Sequence, residues 1–124
     1  MSTKSKLILT CCFIIFIVSA CQSKEEMVQK RVEFIRINEE RGSKIVQALN
    51  EYEQDHGTVP EQLEELVPTY LPEVPRTSNE EDFIYKMVKV SKSIRFSLYF
   101  RVEGTLSCGY NDPFKMWECS PGGD

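Results

Sequence analysis

The chain has one histidine, His56, one tryptophan and only six glycines among its 124 residues. A single histidine removes most catalytic triads and most zinc sites from consideration, and the few glycines form no Gly-rich phosphate loop. Basic side chains are outnumbered, 15 against 19 acidic, for a net charge of −4. That balance argues against nucleic acid, which selects basic surfaces, and against tight electrostatic adhesion of the whole chain to anionic lipid. Long apolar runs are also missing. The longest, Leu7 to Val18, covers about 12 residues where a bilayer-spanning helix needs roughly 20. No Ser/His/Asp arrangement with a recognisable context is present, and the sequence is read as non-enzymatic.

Residues 1–20 instead have the three parts of a secretory signal. Lys4 and Lys6 provide the positive start, Leu7 to Val18 the apolar core, and Ser19-Ala20 the small-residue exit. The segment Val18-Ser19-Ala20-Cys21 resembles the lipobox of bacterial lipoproteins. The resemblance implies diacylglycerol on the Cys21 thiol, cleavage before Cys21, and acylation of the freed amine. One chain of myristoyl length binds a membrane only marginally, so several chains on one residue make the anchor durable. Residues 21–26 then form a lipidated tether, and Cys11 and Cys12 depart with the signal. In lipoproteins of the enteric type an aspartate after the cysteine retains the protein in the inner membrane. Gln22 therefore implies the outer membrane, with the domain in the periplasm. Removal of Lys4 and Lys6 leaves 13 basic against 19 acidic side chains, a net charge of −6.

Two cysteines remain, Cys108 and Cys119, and in an oxidising periplasm an even pair reads as a disulfide. Zinc would need two further ligands, with the only histidine distant, and redox pairs are usually spaced Cys-x-x-Cys.

From Lys24 to Gln54 there is no proline and one glycine, Gly42. Val28, Val32, Ile35, Val46 and Leu49 share a face at 100° per residue, with Phe34, Ile45 and Tyr52 beside it, which predicts one long amphipathic helix. Glu39 and Gly42 break the apolar face, so the two halves are assigned different partners. The half from Ile45 to Tyr52 packs on a sheet. The half carrying Val28, Val32, Phe34 and Ile35 lies on the membrane, on its own domain, or, in the sharper reading, under a partner protein.

Gly57 ends the helix, and Thr58-Val59-Pro60-Glu61 has capping-box spacing ahead of a second helix of about two turns that Pro68 stops. An extended connector through Val74-Pro75 and a polar loop, Arg76 to Glu81, follow. The period then changes to two. Phe83 to Val88, Ile94 to Val102, Leu106 to Tyr110 and Lys115 to Cys119 read as three or four antiparallel strands, the last two bridged by the disulfide. The predicted fold class is α+β, in a single domain over residues 27–120 with a frayed tail at 121–124.

The run Ala48-Leu49-Asn50-Glu51-Tyr52 to Gly57-Thr58-Val59-Pro60, then Leu63, Leu66, Val67-Pro68, Tyr70-Leu71 and Val74-Pro75, resembles the head of the type IV pilin and type II secretion pseudopilin superfamily. The departures limit what this implies. A lipobox followed by Lys24, Glu25 and Glu26 stands where the superfamily has an apolar fibre-forming helix, so polymerisation is not expected. Arg76-Thr77-Ser78-Asn79 replaces the family's Asp-Pro-Trp-Gly-type segment, so no metal site and no cofactor carries over. His56 is read as a helix-end cap, Glu61, Glu64 and Glu65 as a solvated face, and Glu80-Glu81-Asp82 as solvated or, less simply, holding calcium. The expected role is that of a lipid-anchored envelope protein that binds another protein. A small periplasmic module for a ligand or ion is the first alternative, and an enzyme the second.

Overall fold

The computed structural model describes the backbone of residues 3–121 and the side chains of residues 23–121. The fold is α+β. One helix, α1 (Thr3–His56), precedes a four-stranded antiparallel sheet of β1 (Ile84–Val90), β2 (Ser93–Glu103), β3 (Leu106–Asn111) and β4 (Met116–Pro121), in the spatial order β1-β2-β3-β4. The chain divides into two units, residues 1–33 and residues 34–124. The compact head therefore begins at Phe34, not at Met27.

Within the head, α1 packs through a stripe that steps three or four residues at a time, as a helix of 3.6 residues per turn requires. Asn38, Gly42, Ile45, Leu49 and Tyr52 lie on it, and Ile45 and Leu49 have no exposed surface. Alternate residues of the strands supply the opposite layer: Phe96, Leu98 and Phe100 from β2, Cys108 and Tyr110 from β3. A solvated outer face of Ser97, Tyr99, Gly109 and Glu118 completes the one-sided pattern usual for antiparallel sheets. Gly42 breaks no packing surface. A Cβ there would lie 2.5 Å from Cη2 of Trp117 and 3.1 Å from Cε1 of Phe83, so the absent side chain is the seat of the indole. The Trp117 ring nitrogen donates to the Ser43 hydroxyl at 3.3 Å.

Gly57, at φ +74°, closes α1 by donating its N–H to the Glu53 carbonyl. The predicted second helix is only a 3-10 turn, Leu63–Leu66. Val59 and Pro60 are buried, and the Tyr85 hydroxyl donates to the Pro60 carbonyl at 2.7 Å, so the chain stays extended where the helix was expected to start. The cap falls later than Thr58 and Glu61. The Gln62 N–H donates to Glu65 Oε1 at 2.9 Å, and Leu63 and Leu66 turn into the core.

Residues 57–83 contain little regular structure, and long connections of that kind are uncommon in compact domains. Side chains of α1 hold this one in place. Asn38, fully buried, accepts from the Ser78 N–H at 2.7 Å and donates to the Ser78 hydroxyl at 3.2 Å. Arg41 donates to the carbonyls of Arg76 and Thr77 at 3.0 and 2.9 Å. Thr77 and Glu81 exchange backbone and hydroxyl bonds, which closes the polar loop on itself. At the other end of the helix, Arg95 of β2 reaches Glu53 at 3.6 Å and the buried carboxylate of Asp112 at 3.4 Å.

The frayed tail is corrected at one residue: Pro121 pairs with Leu106 in the β3–β4 ladder. As the end of an outer strand, a proline costs the sheet no inner hydrogen bond. Residues 122–124 lie outside the described residues.

Candidate interaction surface

Residues 27–33 precede the head on α1. Met27, Val28 and Val32 are 61%, 55% and 56% exposed, and Val28 and Val32 stand one turn apart on one face. The next turn behaves differently. Phe34 and Ile35 are half-buried and pack on the head's core, with the Phe34 ring edge-on to Phe100 at 6.2 Å between centroids. The partner surface read from the sequence is thus halved: Phe34 and Ile35 belong to the domain, and Val28 and Val32 remain uncovered. The reason lies in the packing: the inner face of β2 sets Phe100 against the turn of α1 that holds Phe34. Beside the exposed pair, Lys30 meets Glu26 at 2.8 Å. This hydrogen bond, reinforced by the ammonium charge, holds the Glu26 carboxyl below the usual carboxylate range.

Cys21 has its side chain outside the described residues. Among the described residues no helix is long and apolar enough to cross a membrane. Cys108 and Cys119 face each other across β3 and β4 and are joined, with an S–S distance of 1.95 Å.

The remaining candidates resolve into structural roles. His56 stacks on Tyr52 at 4.0 Å, and its Nδ1–H donates to the Tyr52 carbonyl at 3.0 Å, the helix-end position read from the sequence. Glu61, Glu64 and Glu65 are exposed, as read from the sequence, and Glu65 also accepts from the Tyr52 hydroxyl at 3.2 Å. Asp82 meets Arg76 at 3.2 Å. No group of three or more metal-ligating side chains occurs among the described residues. A cleft of about 470 Å³ lies between α1 and the connector, lined by Arg41, Lys44, Glu73, Arg76 and Glu80. Two of its three cations are already engaged, Arg41 with carbonyls and Arg76 with Asp82, which leaves few polar groups to converge on a ligand.

Asn38 and Arg41, which fasten the connector, carried no signal except position. Asn38 is a short polar residue standing in the apolar stripe between Ile35 and Ile45. Such a residue announces a buried hydrogen-bonding partner.

Four phenols of the head share one electrostatic tendency. Tyr70 donates to the Asp55 carboxylate at 2.7 Å, and that bond, with burial second, pushes its pKa up to about 12. Burial raises Tyr85. Burial and then Glu65 raise Tyr52, and burial and then Asp112 raise Tyr110. In the unfolded chain all ionise near 10. A raised folded pKa means that the stability these phenols supply is complete below pH ~10 and is lost as pH rises from there through about 12 at Tyr70. The melting temperature should therefore fall steadily above pH ~10, and Tyr70→Phe should flatten part of that fall. A melting temperature insensitive to pH in this window would contradict the assignment.

No family model, curated protein or solved structure matches the chain.

Proposed function

We propose that this chain is an exported lipoprotein, acylated on Cys21 and held in the cell envelope with its head in the periplasm. It acts by binding another protein, in an accessory or scaffolding role, without catalysis of its own. The observation that carries the reading is the exposure of Met27, Val28 and Val32, a few residues after Cys21. Solvent-exposed apolar side chains grouped on one face mark interaction sites. The charges around them balance, Lys24, Lys30 and Arg31 against Glu25, Glu26 and Glu33, so this stretch has no net attraction to an anionic membrane surface. Outer-membrane placement rests on Gln22. A pilin-like head is supported by element order: a long helix, a Gly-x-x-Pro connector with proline-punctuated leucines, and an antiparallel meander against the helix.

Two sets of variants test the reading. Cys21→Ser should block maturation and leave a precursor about 2 kDa heavier, the mass of a signal of roughly 20 residues. Maturation of that variant as usual, with no acyl groups on the wild type by mass spectrometry, would remove the anchor. Val28→Ser with Val32→Ser should change stability by less than about 0.5 kcal/mol, as for other exposed substitutions, and abolish crosslinking to an envelope partner. Unchanged crosslinking would move the contact elsewhere.

A further inference from the structure

β1 lies at the border of the sheet and pairs only with β2, so one side of its backbone has no neighbouring strand. Outer strands are normally made unattractive to other chains by shortness, proline, a bulge or charged side chains, lysine above all. β1 has seven residues, Ile-Tyr-Lys-Met-Val-Lys-Val, with no proline and an unbroken register against β2. Residues 86–90 are all exposed, Met87 and Val90 by 46% and 42%. Valine, isoleucine and tyrosine are strong strand formers, so this edge is extended and largely apolar, and its guard against other chains is the charge of Lys86 and Lys89.

Its charge is one-sided. Between Phe83 and Val102 the chain carries Lys86, Lys89, Lys92, Arg95 and Arg101 and no carboxylate, although acidic residues outnumber basic ones in the whole protein. Arg95 is taken up by Glu53 and Asp112. Lys86 and Lys89 lie on opposite faces of β1, and the Lys86 ammonium sits 5.2 Å above the Tyr99 ring. A strand added to this edge meets a lysine on each of its faces.

We propose that the outer edge of β1 is a strand-addition site for an extended segment of a partner protein in which apolar residues alternate with glutamate or aspartate. Main-chain hydrogen bonds supply the pairing, Met87, Val88 and Val90 the apolar contact, and Lys86 and Lys89 the choice of partner. A second copy of the chain fits less well, since pairing β1 with β1 gathers the lysines of both copies. Lipid fits less well too, because an open sheet edge leaves its N–H and C=O groups without partners in hydrocarbon. The site goes beyond the proposed lipoprotein function and depends neither on Cys21 nor on Met27, Val28 and Val32.

The test uses the full chain and a capped peptide of about nine residues alternating valine with glutamate, with a valine–lysine peptide as counterpart. The acidic peptide should bind saturably and slow amide exchange in residues 84–90. Lys86→Glu with Lys89→Glu should weaken it roughly tenfold and confer binding of the lysine peptide. Val88→Ser, an exposed change that removes apolar contact and leaves both lysines in place, should also weaken it. Val28→Ser with Val32→Ser should leave its affinity unchanged. Equal binding of both peptides, or binding without protection of 84–90, overturns the proposal. So does protection of those residues only by phosphatidylglycerol vesicles, or a concentration-dependent dimer that Val88→Ser dissolves.

Discussion

Phe100→Ala should cost about 3–5 kcal/mol, the usual range for deleting a buried phenylalanine ring, and lower the melting temperature by roughly 15–30 °C for a domain of this size. Phe100 is 1% exposed and is the ring on which three others converge: Phe34 at 6.2 Å, Phe83 at 5.8 Å and Trp117 at 6.0 Å between centroids. Its loss therefore opens a cavity bounded by α1, the chain just before β1, and β4, elements that cannot collapse on it together. The same experiment locates the boundary of the head. Phe34→Ala should destabilise and be coupled to Phe100→Ala by about 0.5–1.5 kcal/mol in a double-mutant cycle. Val32, two residues earlier, should show no coupling. Additive effects of Phe34 and Phe100 would return Phe34 to the uncovered stretch.

Phe34 also shows where sequence reasoning stops. Its place on the apolar face of a helix was legible, because a 3.6-residue period is a local property of the chain. Whether something covers it depends on which turn of α1 the inner face of β2 packs against, and that is set by the fold and not by a local repeat. Gly42 is a sharper case. As a residue in a helix it reads as an interruption; its function as a seat depends on Trp117, 75 positions away, and only the fold brings the two together. The short second helix failed for a related reason. Thr58 and Glu61 have the spacing of a cap, yet burial of Val59 and Pro60 and the bond from Tyr85 to Pro60 hold that segment extended. What was legible was whatever repeats or pairs locally: Phe96, Leu98 and Phe100 alternating with polar residues, Gly57 after the last helical turn, and Ser91-Lys92 between two strands. The candidate surface divides the same way. Val28 and Val32 were visible as apolar positions, whereas the open edge of β1 is a statement about sheet order. No window of sequence shows which strand lies at the border.

The second large effect is expected at the opposite border. Cys108→Ala with Cys119→Ala should cost about 2–4 kcal/mol, and loop-closure entropy alone accounts for about 3 kcal/mol for a closed loop of this length. The bridge matters more here than loop length suggests. β4 pairs with no strand other than β3, and its main connection to the helix layer is Trp117, seated over Gly42. Cys108 is fully buried at the base of that arrangement, while Cys119 lies exposed on the outer strand. The covalent link thus ties a border strand to the core. Without it, β4 can separate from β3 at a smaller free-energy cost than unfolding the head, in keeping with the lower local stability of weakly packed elements. Trp117 is the only tryptophan in the chain, so its fluorescence reports this strand alone. In the doubly substituted protein the emission should shift to longer wavelength at a lower temperature than the loss of helical circular dichroism. In the wild type the two transitions should coincide. Coincident transitions in both proteins, with melting temperatures within about 2 °C, would show that β4 is held by packing and that the disulfide contributes little.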